Sequence, residues 1–225
     1  MQYVFVTPGW FFGYSILLEA FFAIITMLVA IYAFKIYRLS EERTSKLFGF
    51  SFLFISFAYI VQFVLNFLIW NNLDDDVSTI INLKQVYLLN LLGSYAFAFF
   101  FIIGLVILTY MTLKVKDTRV LALLLSVCII AVYFNPFKVF MFFVLSSVLL
   151  LFTVIHYFIN YLNNKKINTL IVLVAMIFLL FGTLHFMFAV NHEIYYVLAH
   201  ILEFIAYMLI LINLILILKH GQKKR

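Results

Sequence analysis

Apolar residues fall in seven long stretches separated by short polar breaks. The stretches lie near Trp10–Tyr37, Leu47–Trp70, Val86–Leu113, Val120–Phe134, Phe137–Leu162, Leu170–Val190 and Ile194–Leu218. A run of about 20 apolar residues matches one helical crossing of a ~30 Å hydrocarbon core, whereas strands facing lipid alternate apolar and polar positions over about 10 residues. No such alternation is present. The pattern therefore predicts an all-α membrane protein, a seven-transmembrane-helix bundle occupying residues 1–225 as a single domain. The fourth stretch holds fifteen residues and crosses the core only if it continues into the Asn135-Pro136 break. The first is too long for a signal peptide and has no basic region before it, so it reads as a retained helix.

Composition excludes a soluble fold. Hydrophobic residues make up 67% of the chain and charged ones 11%, against roughly 45–50% and about 25% in soluble domains. Too few polar residues are present to coat so much apolar surface. The single cysteine, Cys128, has no intramolecular disulfide partner and reads as a small apolar residue. Both prolines, Pro8 and Pro136, sit at segment edges.

The charge of +6 changes the picture through its placement. Lys35, Arg38, Arg43 and Lys46 surround the first loop. Lys114, Lys116 and Arg119 occupy the third, Lys165 and Lys166 the fifth, and Lys219, Lys223, Lys224 and Arg225 the tail. Thirteen of the fifteen basic residues thus share one side, and the other holds Lys84, Lys138, the run Asp74-Asp75-Asp76 and Glu193. Cytoplasmic loops retain Lys and Arg, so the expected orientation is N-terminus out and C-terminus in, in a multi-pass cell-membrane protein. The basic residues are then topology signals and lipid-headgroup contacts, not a nucleic-acid footprint. A weak internal repeat lays 31–65 over 155–189, with Tyr37 on Tyr161 and Phe54 on Phe178. It suggests a 3+1+3 parallel repeat about the membrane normal.

Ionisable and amide groups inside the apolar stretches are costly and therefore informative. At ~1.5 Å per residue, Asn66 and Asn90 lie about 6 Å below the outer surface, His185 and His200 about 8 Å, Gln62 and Glu203 about 12 Å, and Glu19 about 14 Å. The inner half has almost nothing comparable. Spacing agrees with depth. Tyr196, His200, Glu203 and Tyr207 share one helical face, as do Tyr59, Gln62 and Asn66. Ser15, Glu19 and Thr26 form a third stripe, Gly182, His185 and His192 a fourth, and Asn90 and Ser94 a fifth.

Three readings of this cluster stand side by side. The groups could hydrogen-bond one another as helix–helix glue, at ~0.6 kcal/mol per bond. They could line a ligand pocket open to the outside, with Glu19, Tyr59, Gln62, Asn66, Asn90, His185, Tyr196, His200 and Glu203 as contacts. Or His185, His200 and Glu203, with Glu19 as a further ligand, could hold zinc. His185 and His200, with His192, also offer axial ligands for haem. No Lys lies within the seventh stretch for a retinal Schiff base. No CxxC, HExxH, HxxxH, GxSxG or Walker-type loop occurs, which leaves catalytic residues unassigned.

The stretch YYVLAHILEFIAYMLILINLIL (195–216) and the first loop, YAFKIYRLSEERTSKLFGFSFLF (32–54), resemble heptahelical sensor-type membrane proteins of archaea and bacteria. In those, such a bundle often precedes a histidine kinase or other cytoplasmic output domain. This chain stops six or seven residues after its seventh helix, so the resemblance implies a signal passed to a separate cytoplasmic or membrane partner. The leading expectation is a non-enzymatic receptor- or sensor-like protein. Glu19 and Glu203 would be charge partners, His185 and His200 proton-sensitive groups, and Gln62 and Asn90 hydrogen-bonding groups. A small-solute or proton-coupled transporter and a structural subunit of a membrane complex are the alternatives. The 3+1+3 arrangement is also similar to that of small sugar transporters, but the prolines those carry within their helices are absent here.

Overall fold

A computed structural model describes residues 8–73, 80–189 and 192–222. Every regular element among the described residues is an α-helix: α1 (Phe12–Ser40), α2 (Arg43–Leu73), α3 (Ile80–Leu113), α4 (Thr118–Tyr133), α5 (Lys138–Asn164), α6 (Ile167–Phe188) and α7 (Glu193–Gln222). Each apolar stretch forms one helix. Six are long and apolar enough to cross a membrane, and α4 is the shorter seventh. The run Asp74-Asp75-Asp76, Val190 and the basic residues Lys223, Lys224 and Arg225 lie outside the described residues. Helices α2, α3 and α7 extend beyond their apolar stretches, because backbone hydrogen bonding continues where the side chains turn polar.

The corners are tight. Helices α1 and α5 both end on a left-handed residue, Glu41 (φ 55°) and Lys165 (φ 48°). Each donates its N–H to the carbonyl four residues back, Tyr37 and Tyr161, at 2.7 Å. This closure ends a third to a half of all helices, so the shared corner carries no argument for a repeat. At the same end of the bundle the Arg43 guanidinium donates to the Val115 carbonyl (3.0 Å) and the Tyr110 hydroxyl (2.8 Å). Tyr110 in turn donates to the Asp117 carbonyl (3.1 Å). These bonds tie the start of α2 to the α3–α4 loop. The end that carries these basic turns is called the basic face below.

Six helices close a ring in the order α1, α2, α3, α5, α6, α7, with α7 packed back on α1. Helix α4 stands outside this ring and packs only on α3 and α5. Its sixteen residues rise about 24 Å, less than the ~30 Å core. Leu123, Val127 and Ile130 form its exposed apolar face. The ring helices show the same division more sharply. Leu17, Phe21, Ile24, Leu28 and Ile31 of α1 form an exposed stripe at helical spacing, while Phe22, Val29 and Ala30 are buried.

Lipid tails are as apolar as leucine, so burial alone does not hold such helices together; close approach and interhelical hydrogen bonds do. Ser51 Oγ donates to the Gly104 carbonyl at 2.7 Å, and Ser56 Oγ to the Ala23 carbonyl at 2.8 Å. Gly104 lets α3 come this close: a Cβ there would stand 2.8 Å from the Ser51 carbonyl oxygen and 2.7 Å from Ile55. Gly104→Ala is expected to destabilise the bundle by about 1–3 kcal/mol through overpacking. Thermal unfolding in detergent checks this, with Gly9→Ala as control, since a Cβ at Gly9 meets nothing within 4 Å and the midpoint is expected to stay put.

Candidate binding pocket

The polar stripes turn inward because the opposite faces of the same helices are apolar and lipid-solvated. On α7, Tyr196, His200, Glu203 and Tyr207 are all buried, His200 and Glu203 at 4% exposure. On α1, Ser15, Glu19 and Thr26 are buried, and on α2 so is Tyr59. They converge near the end opposite the basic face on a cavity of about 140 Å³. Glu19, Tyr59, Gln62, Asn66, Asn90, Tyr196, His200 and Glu203 all line it, and residues of all seven helices contribute to its wall.

Each carboxylate is held from a neighbouring helix. Asn66 Nδ2 of α2 donates to both oxygens of Glu19, at 2.8 and 3.0 Å. The Tyr59 hydroxyl lies 3.1 Å from Glu203 Oε2, to which it can donate, and 3.0 Å from the Tyr207 hydroxyl. His200 Nδ1 stands 3.8 Å from Glu203 Oε2, an ion-pair distance too long for a hydrogen bond. The imidazole is caged by rings instead: Tyr196 at 4.6 Å and Phe186 at 5.1 Å edge-on, with Phe11 stacked at 5.8 Å. Neither ring nitrogen of His200, nor Gln62 Oε1, has a hydrogen-bond partner among the described residues. Ser94 donates to Asn90 at 3.4 Å, at the limit of such a bond.

His185 does not join the cluster. The buried face of α6 runs through Ala175, Met176, Leu179, Gly182, Thr183 and Phe186. That register turns His185, one position before Phe186, off the cavity. Its Nδ1 pairs with the Phe181 carbonyl of its own helix at 2.6 Å, and its ring lies against Tyr195. His192 precedes α7 and is exposed. The expected zinc set therefore loses one ligand, and the two-histidine haem clamp its second. Among the described residues no three His, Cys, Asp or Glu side chains gather where an ion could be held.

Two residues escape the sequence reading. Lys138, at the start of α5, lines the cavity. Its Nζ donates to the Tyr95 hydroxyl at 2.9 Å and sits 4.8 Å from that ring. The sequence counted it only as a charge of the outer side at the start of the fifth stretch, and the packing of α5 on α3 carries it over the cavity. Asn213 corrects the expectation of an apolar inner half: it lies toward the basic face on α7, is 2% exposed, and leaves Oδ1 unpartnered among the described residues.

No protein-family model matches the chain, and neither a curated protein nor a solved structure is significantly similar to it. The pocket is therefore read on its own chemistry.

Asn66→Leu removes both donors from buried Glu19. It is expected to cost about 1–3 kcal/mol, the penalty for stranding a buried acceptor. Adding Glu19→Leu removes the stranded group, and chemical unfolding in detergent micelles should show most of the loss recovered; a purely additive pair would refute the coupling.

Proposed function

We propose that this membrane protein is receptor- or sensor-like and that its pocket, in the outer half of the bilayer, responds to a polar ligand, a cation or a proton. One observation carries the reading: polar side chains from separate helices converge on a single cavity, and buried His200 and half-buried Gln62 keep unpartnered atoms within it. Helix glue alone leaves few such atoms, since buried polar groups are normally satisfied, and here they gather at a cavity shared by several helices. The basic residues gather at the far end, which supports a cytoplasmic basic face and a pocket toward the outside. A signal requires the ligand to bind two packings of the bundle unequally. The sites for such a shift are the ring contacts of α7 with α1 and α6, where His200, Glu203 and Phe186 meet.

Transport is the second reading, and Asn213 favours it, because a carrier needs polar groups on the far side of the pocket as well. Uptake into proteoliposomes separates the two: a sensor moves no solute.

Two tryptophans report on the pocket. Trp70 stacks on Phe12 of the cavity wall at 5.8 Å, and Trp10 meets Phe11, which stacks on His200. Histidine is the side chain that changes charge near neutral pH. Intrinsic fluorescence of the purified protein in nanodiscs is expected to respond to pH, and the response should vanish in His200→Ala and shrink in Glu203→Gln. A response that survives intact in both variants would sink the reading.

A further inference from the structure

The cavity is chemically lopsided. Its α1, α2 and α7 side presents the carboxylates of Glu19 and Glu203, the oxygen of Gln62 and the ring of His200. A carboxylate has about four lone-pair positions, and a neutral imidazole has one acceptor nitrogen. Against this capacity stand the Asn66 amide on Glu19 and the Tyr59 hydroxyl beside Glu203. Gln62 Oε1 and both nitrogens of His200 have no partner among the described residues. Both groups that donate to the carboxylates are thus neutral, and among the described residues lining the site Lys138 is the one ammonium, which already donates to Tyr95.

The opposite wall carries Phe97, Phe101, Phe142, Phe143 and Phe186 beside Asn90, Ser94 and Lys138. Phe142 lies 5.0 Å from Phe143, and Phe143 stacks on Phe186 at 5.5 Å. Such rings attract cations at their faces and accept the apolar body of a ligand. Size sets a further limit. The cavity of about 140 Å³ is close to the roughly 150 Å³ that holds one benzene ring.

Building on the pocket reading above, we propose that the cavity binds a small primary organic amine as its ammonium ion. Its three N–H donors face Glu19, Glu203 and the free acceptor of His200 or Gln62. Its apolar body, about one ring in size, lies against Phe142 and Phe186. A hydrated metal ion leaves the aromatic wall unmatched, an alcohol brings one donor to a set of acceptors, and an organic anion meets two carboxylates.

The test is isothermal titration of the full chain in nanodiscs with phenethylamine, phenethyl alcohol, 3-phenylpropionate and sodium chloride as probes. Phenethylamine should bind the native protein, with the alcohol and the acid at least about tenfold weaker and sodium not competing. Glu19→Gln and Glu203→Gln should each weaken the amine about tenfold or more. Glu203→Asp, which keeps the charge, should retain binding and so separate lost charge from lost fold. Equal binding of amine and alcohol, or amine binding untouched in both Gln variants, overturns the amine assignment. If no probe binds while the pH-dependent fluorescence still requires His200, the amine assignment falls and the pocket reading stands. If that fluorescence is also indifferent to His200 and Glu203, both fall.

Discussion

Hydrocarbon offers no hydrogen bonds, so a polar group placed in it is costly unless it finds a partner inside the protein. For the backbone this condition yields helices. For side chains it yields cross-helix pairs: Asn66 with Glu19, Tyr59 with Glu203 and Tyr207, Ser51 with Gly104, and Ser56 with Ala23. These contacts fix which faces of α1, α2, α3 and α7 meet. The apolar remainder does not, because Leu and Phe pack as readily on lipid as on each other. Register in this bundle is therefore written in a small number of polar residues and in Gly104.

The same condition explains the place of α4. It has no buried charged or amide side chain, and only Cys128 and Val132 are fully buried. Nothing in it requires the interior, so it lies outside the ring against α3 and α5. Its turn into α5 still matters. The Tyr133 hydroxyl donates to the Tyr95 carbonyl at 2.6 Å, and Lys138 reaches the Tyr95 side chain. The outlying helix thereby sets the rim of the cavity on the side away from the carboxylates.

The pocket combines groups that are satisfied with groups that are not. Glu19 and Glu203 are held by Asn66 and Tyr59, which orders the carboxylates before any ligand arrives. His200 is held by the rings around it and Gln62 Oε1 has no hydrogen-bond partner among the described residues. Fixed acceptors beside unpartnered ones describe a site prepared for a donor, which links the proposed sensing role to a cationic ligand. Asn213, away from this site, is the one buried amide toward the basic face among the described residues, and it keeps the transport alternative in view.

The sequence alone determined the membrane environment, the seven helices and most of the polar cluster. Apolar run length follows from bilayer thickness, and helical spacing fixes which residues share a face of one helix. Eight of the nine expected pocket residues line the cavity for that reason. Only the tertiary structure decided how the helices are arranged and rotated against each other. Periodicity put His185 on a polar stripe, but the packing of Gly182, Thr183 and Phe186 turned it off the cavity. A charge count put Lys138 on the outer side and no further, but the packing of α5 on α3 made it part of the wall. Neighbour order and relative rotation depend on contacts between residues far apart in the chain, and no local pattern encodes them.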